Sequence, residues 1–303
     1  MRYQVLATDY DETLALDGCV SQETLVVLHR FVASGRRLIM VTGRELPQLK
    51  SVFSDLYLFH GVVAEDGGLL YEPSTDKEIL VGKPPSQALV EALSHRGIIS
   101  ISVGRCVIAT WSPFENTVLE AIRDLGLERQ IIFNKGAVMV LPAGVNKAFG
   151  LALALKEMKL SPHNTVGVGD AENDHAFLQV CEFSAAVANA LPSLKEVVDM
   201  VLPADHGADV ELLIDRIVSD DLQSFEVIPQ RHKLPMATTD SGEVCLPSFG
   251  APCLVCGASG SGKSSFANMI VDSIAAQSYQ FCIVDPEGDY ESFEGAVVLG
   301  SLS

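Results

Sequence analysis

The chain has 303 residues, 48% of them hydrophobic and 20% charged, which is enough apolar material for about two domains of roughly 100–200 residues. A formal net charge of -18 excludes broad, sequence-independent nucleic-acid binding by the body of the chain, because phosphate contacts need clustered Lys and Arg. No apolar run approaches the ~18–20 residues of a membrane helix, and no signal-peptide pattern opens the chain, so a cytoplasmic protein is expected. The seven cysteines are scattered and read as free buried thiols in a reducing cytoplasm; Cys253 and Cys256 form a C-x-x-C with no second pair and no His cluster.

In chain order, YQVLAT is a strand pattern that stops at Asp9. SQETLVVLHRFVASG is a helix pattern with Leu25, Leu28 and Val32 on one face and Gly35 at its end. RLIMV then stops at Thr42-Gly43-Arg44, and GVVAE at Asp66-Gly67-Gly68. Between Lys83 and Leu141 the rhythm changes to helix, hairpin, helix, hairpin, with turns at Gly104-Arg105 and Lys135-Gly136. NKAFGLALALKEMKL returns to a helix pattern, and NTVGVG runs up to Asp170. Strand–helix alternation predicts an α/β fold, a doubly wound parallel sheet over residues 1–82 and 142–218, with an inserted α+β cap over 83–141. Residues 219–250 read as a Pro-containing linker with one hairpin, and 251–303 as strand, glycine-rich loop and helix.

In a doubly wound sheet the polar clusters that end these runs converge beyond the carboxyl ends of the strands. Asp9, Asp11, Asp170 and Asp174 cannot all stay ionised in one crevice without a cation, and all-oxygen ligands suit Mg²⁺. Thr42 and Lys147 add a hydroxyl donor and a positive charge for phosphate oxygens. This set fits phosphoryl transfer through an aspartyl-phosphate, with one carboxylate as nucleophile and another as acid and base.

D-Y-D-E-T at residues 9–13, T-G-R at 42–44, Lys147 in LPAGVNKAFGLALAL and G-D-A-E-N-D at 169–174 together resemble the four motifs of the haloacid dehalogenase superfamily of phosphatases. The G-V-x-K lysine and the stretch FSAAVANALPSLKEVVDMVL are similar to its Cof-like, type IIB branch, over about residues 1–218. The resemblance implies a Rossmannoid core with a type IIB cap. It implies Asp9 as nucleophile and, with the Asp11 backbone carbonyl and Asp170, as Mg²⁺ ligand. Asp11 is then the general acid and base, and Thr42, Gly43 and Lys147 hold the phosphoryl group. Asn173 and Asp174 support the metal and its waters, with Asn173 also beside the phosphate. Glu65-Asp66-Gly67 departs from the E-N-G common in relatives, near the substrate path. Lys135 is a rival for the role of Lys147. Trp111 and Phe114 read as cap core rather than as a platform for a sugar, His175 as helix surface, and Arg44 and Arg105 either as partners of an anionic substrate or as exposed charges.

A second motif, G-x-x-x-x-G-K-S, spans Gly257 to Ser264 between the apolar run CLVC and a helix pattern. Gly257, Gly260, Gly262, Lys263, Ser264 and Ser265 are its nucleotide-binding candidates, with ATP as ligand. With FCIVDPEGDY downstream it resembles the start of HerA-like P-loop ATPases, and Asp285 either approaches that site or only turns the chain. About fifty residues are too few for a domain of ~150–200, so a partial domain that hydrolyses ATP poorly is expected. Phosphatase action on a small phosphorylated metabolite, with a sugar phosphate suggested by the cap type, is the leading function. The alternatives are a fragment of an ATP-driven motor, with DNA as partner only if a complete ATPase domain exists, or a nucleotide-sensing module.

Overall fold

The computed structural model describes residues 1–224, 233–240, 242–247, 253–285, 290 and 297. The chain divides into two units, Met1–Val227 and Ile228–Ser303.

The first unit starts with β1 (Val5–Thr8), α1 (Gln22–Ala33), β2 (Arg37–Val41), α2 (Leu46–Val52) and β3 (Gly61–Ala64). Every residue of β1 and β3 is buried, as continuous apolar runs covered on both faces require. Beyond β3 the chain doubles back into β4 (Leu69–Glu72) and β5 (Lys77–Leu80), two antiparallel strands that extend the expected all-parallel sheet at one side, with β5 at the edge. The reversal is made by Asp66 and Gly67, at φ 50 and 97. A Cβ on Gly67 would lie 2.0 Å from the Asn146 carbonyl oxygen, so only glycine fits there.

The next segment carries α3 (Gln87–His95), β6 (Ser102–Val103), β7 (Ile108–Trp111), α4 (Glu115–Asp124), β8 (Arg129–Asn134) and β9 (Ala137–Pro142). Its strands form a separate antiparallel sheet in the order β6-β7-β9-β8. Leu89, Leu93, Val118, Ile122 and Val140 give it a core of its own. ISISV contributes only Ser102–Val103 to that sheet.

The chain then returns through α5 (Lys147–Glu157), β10 (Thr165–Gly169), α6 (His175–Val180), β11 (Phe183–Ala186), α7 (Pro192–Lys195), β12 (Met200–Val201) and α8 (His206–Asp220). The large sheet runs β12-β11-β10-β1-β2-β3-β4-β5, and its first six strands are parallel. Because β1 lies between β2 and β10, the winding reverses there, and the β1/β10 crevice is the topological switch point where such sheets bind ligands.

The second unit holds a hairpin of β13 (Lys233–Thr239) and β14 (Gly242–Pro247), followed by α9 (Lys263–Ala276). The hairpin expected in the linker is therefore present, while residues 225–232, 241 and 248–250 of that linker lie outside the described residues. Cys253–Cys256 does not form the strand expected before the loop, and its two thiols, like those of Cys19 and Cys282, are free but exposed rather than buried. A strand exists through pairing, and among the described residues none lies beside this exposed run. Of the D-P-x-G-x-Y stretch, Asp285 and Tyr290 are described, and the four residues between them lie outside the described set; Asp285 accepts the Tyr290 N–H at 2.8 Å.

Candidate active site

Asp9 is the first residue beyond β1, and its N–H donates to the Val168 carbonyl at 3.0 Å, pinning it to β10. Asp170 is the first residue beyond β10, and Asp174 closes the short 3-10 turn Glu172–Asp174. Asp174 Oδ2 accepts the N–H groups of Asp170 and Ala171 at 2.8 and 2.9 Å. Its other oxygen accepts Lys147 Nζ at 2.6 Å, and the same ammonium donates to Asp9 Oδ1 at 2.6 Å. Lys147 thus bridges the ends of β1 and β10 from a position only 1% exposed.

Local sequence explains how Lys147 arrives there. Asn146 caps α5 by accepting the Phe149 N–H at 2.9 Å, which makes Lys147 the first helical residue. One turn on, a Cβ at Gly150 would lie 2.5 Å from Val63 Cγ1 and 2.7 Å from Gly67 Cα, so the glycine lets the helix start press onto the β3 turn.

The electrostatics are those of crowded acids around a buried cation. Burial pushes the Asp9 carboxyl well above its ordinary range; Lys147 opposes the rise, and Asp174 and Asp170 add to it. Asp170 is raised by burial and by Asp174, against Lys135 and Thr13. Burial works to discharge Lys147, but Asp174 and Asp9 outweigh it and hold the ammonium charged. One oxygen each of Asp9, Asp170 and Asp174 falls within 4.8 Å of the others. Buried, all-oxygen and carrying more negative charge than its lysine bridge neutralises, this donor set fits Mg²⁺.

The remaining sequence candidates fall around this cluster. Arg44 donates to both Asp11 oxygens, from Nε at 2.7 Å and Nη2 at 2.6 Å, so the Asp11 carboxylate faces a guanidinium rather than the Asp9–Asp170–Asp174 group. Thr42 is buried and its hydroxyl accepts the Arg44 N–H at 3.1 Å. Gly43 has no room to spare, since a Cβ there would sit 3.3 Å from Asp66 Oδ1. Asn173 Nδ2 donates to that same oxygen at 2.8 Å, while Asn173 Oδ1 and Asp66 Oδ2 are buried without a partner. Two residues gain roles the sequence did not assign. Glu65 is fully buried and accepts N–H groups from Arg105, Cys106 and Val107 at 3.0, 2.7 and 3.2 Å, tying the core to the inserted sheet. Lys135 reaches from the β8–β9 turn to an ion pair with Asp170 instead of replacing Lys147. Trp111 is 57% exposed, which corrects its assignment to a core, because it is the last residue of β7 and lies at the Ser112 turn; Phe114 does pack against that core. Arg105 pairs with Glu78 at 2.8 Å, away from the acids.

In the second unit, α9 begins at Lys263 after Gly262, whose φ of 88 needs a glycine, as does the φ of 79 at Gly260. Lys263 Nζ folds back to the Ala258 carbonyl at 3.0 Å, and a Cβ at Gly257 would lie 2.6 Å from Ser261 Oγ. Ser264 and Ser265 lie in the first turn of the helix.

Residues 111–209 match the haloacid dehalogenase-like hydrolase family, and residues 243–300 match the central domain of helicase HerA. The chain is 31% identical over 226 residues to the phosphoglycolate phosphatase of Methanothermobacter thermautotrophicus, covering 71% of this chain and 99% of that protein. It is 27% identical over 227 residues to phosphoglycolate phosphatase 2 of Saccharolobus solfataricus, covering 71% and 92%. Among solved structures, a HAD/COF-like hydrolase from Plasmodium vivax superposes with a TM-score of 0.62 at 20% identity, over 71% of this chain and 95% of that one. Carrying all four motifs on the fold of these relatives, the chain belongs to the phosphatases of the haloacid dehalogenase-like hydrolase family.

Proposed function

We propose that the first unit is a Mg²⁺-dependent phosphomonoester hydrolase that works through an aspartyl-phosphate at Asp9, with phosphoglycolate as its substrate. The observation that carries this reading is the buried Lys147 bridge between Asp9 and Asp174, beside Asp170, at the switch point of the sheet. The two phosphoglycolate phosphatases matched over nearly their whole length favour this substrate over the sugar phosphate suggested by the cap type.

In this account Lys147 holds one Asp9 oxygen, leaving the other to attack phosphorus as the bond to the leaving oxygen breaks. Asp11 gives its proton to that leaving oxygen, then takes one from the water that cleaves the aspartyl-phosphate and releases phosphate. Arg44 must release one Asp11 oxygen for this to happen, since it now engages both. Thr42 and the Gly43 N–H cradle the phosphoryl oxygens, with Asn173 alongside. Asp9, Asp170 and Asp174, with the Asp11 backbone carbonyl, would hold Mg²⁺, which neutralises phosphate charge when bound. No helix among the described residues is long and apolar enough to cross a membrane.

The test is phosphate release from phosphoglycolate and a panel of sugar phosphates, with and without Mg²⁺. Mg²⁺-dependent release, fastest from phosphoglycolate, supports the reading; no release from any ester contradicts it.

A second reading concerns residues 257–265 alone. The closed Gly257–Ser265 loop at the start of α9, with the match to the HerA central domain, supports binding of a nucleotide's phosphates there. Calorimetric titration with ATP checks it: binding that is lost in Lys263→Ala supports the reading, and equal behaviour of both proteins removes it.

A further inference from the structure

The tip of the β8–β9 hairpin holds a lysine where turn chemistry would not place one. Asn134 pairs with Ala137, so the turn is the two residues Lys135 and Gly136, at φ 44 and 91. Positive φ at both positions is the type I′ geometry, which favours Asn, Asp or Gly at its first position. A lysine there is strained, and such strain persists where the side chain has work to do.

The surroundings show where that side chain is aimed. Glu172 accepts the Lys135 N–H at 3.2 Å, and Ser112 N–H donates to the Gly136 carbonyl at 2.9 Å, so the turn is held from both sides. The Lys135 ammonium pairs with Asp170, yet the side chain remains 37% exposed. The other two cations at the site are committed twice each, Lys147 to Asp9 and Asp174 and Arg44 to the two oxygens of Asp11. Lys135 has one acidic partner for its ammonium, and that partner belongs to the proposed Mg²⁺ set.

A second negative group on a substrate would approach the buried acids Asp9, Asp170 and Asp174, and like charges in one crevice repel. It needs a cation that is partly exposed and not built into the core. We infer that Lys135 is the specificity-determining residue that receives the substrate's carboxylate, the group that separates phosphoglycolate from neutral phosphate esters. The inference rests on the phosphatase reading above and adds to it the residue that reads the end of the substrate away from phosphorus. Lys135 forms a charge-assisted hydrogen bond to that carboxylate while the phosphoryl group sits at Asp9.

The test compares phosphoglycolate with 2-hydroxyethyl phosphate, its carboxylate-free counterpart, in the intact chain and in Lys135→Asn. Asparagine suits the turn, so this variant keeps the hairpin, and an unchanged melting temperature checks that it has. The expected result is a fall of about tenfold or more in the ratio of the two kcat/KM values, carried by KM for phosphoglycolate. A binding readout accompanies it: on an Asp9→Asn background, calorimetry should show phosphoglycolate binding weakened about tenfold by Lys135→Asn, with inorganic phosphate affected much less. If the intact chain hydrolyses both esters and Lys135→Asn slows both equally, the Lys135 assignment is overturned while the phosphatase reading stands. If the intact chain hydrolyses neither, phosphoglycolate is not its substrate and this inference falls, while release from the sugar phosphates decides the phosphatase reading.

Discussion

Asp9 is costly to keep and useful because it is. Burial holds its carboxyl above the ordinary value of 3.8, so the folded state binds this proton more tightly than the unfolded chain does. Its contribution to stability is therefore full below about pH 3.9 and is lost as the pH rises through the folded-state value. Asp9→Asn removes that loss. In the metal-free protein the melting temperature of the variant minus that of the wild type should be a larger margin at about pH 8 than at about pH 5, while its turnover disappears. Scanning calorimetry at the two pH values checks the first statement, and a margin that shrinks with rising pH would refute it. Lys147→Met has the opposite effect on the fold. It strands Asp9 and Asp174 without their shared cation, and breaking a buried pair this way costs about 3–5 kcal/mol, read by urea denaturation. Asp9, Asp170 and Lys147 were legible in the sequence because each ends a strand pattern or opens a helix pattern. Arg44 and Lys135 were singled out without their partners Asp11 and Asp170, since a single charged residue carries no periodicity and its partner depends on where a turn or hairpin tip lands.

At the scale of elements, Glu65 ties the inserted sheet to the core, beside the pairing of Lys135 with buried Asp170. Glu65 takes three backbone N–H groups from the loop just before β7, and Gly104 leaves it room, since a Cβ there would sit 2.7 Å from Glu65 Oε2. Glu65→Ala should expose or orphan those amides, at about 1–3 kcal/mol for each that stays buried and unpaired. Hydrogen exchange is the measurement: Cys106 and Val107 should exchange faster in the variant while the α5 amides stay protected. Equal protection in both proteins would show that the tie is not made through Glu65. The hairpins β6–β7 and β8–β9 were readable because glycine turns sit between alternating runs. Strand β4 escaped notice because its run follows β3 after only the short Glu65–Gly67 turn, and β5 because it is largely exposed and so lacks an apolar signature.

The two units of the whole molecule were visible as a change of composition after Val218, because the strand–helix rhythm stops there. What the sequence could not supply was the pairing that turns an apolar run into a strand, and Cys253–Cys256 shows the difference. Closure of the first unit near its end is physical: Arg36 donates to the Tyr3 carbonyl at 3.0 Å, the Ile217 carbonyl at 2.9 Å and Asp221 Oδ1 at 2.8 Å, stitching the sheet to the end of α8. A chain ending at residue 227 should accordingly fold and keep the kcat/KM of the full chain within about twofold; a molten product would place part of the first unit's stability in residues 228–303. The central claim is that Asp9 carries the phosphoryl group, and its most direct measurement is an acid quench during turnover of phosphoglycolate with Mg²⁺, followed by peptide mass analysis. The account predicts the mass of one phosphoryl group on the peptide containing Asp9, absent in Asp9→Asn. Turnover with no phosphorylated peptide, or with the added mass on another residue, would contradict it.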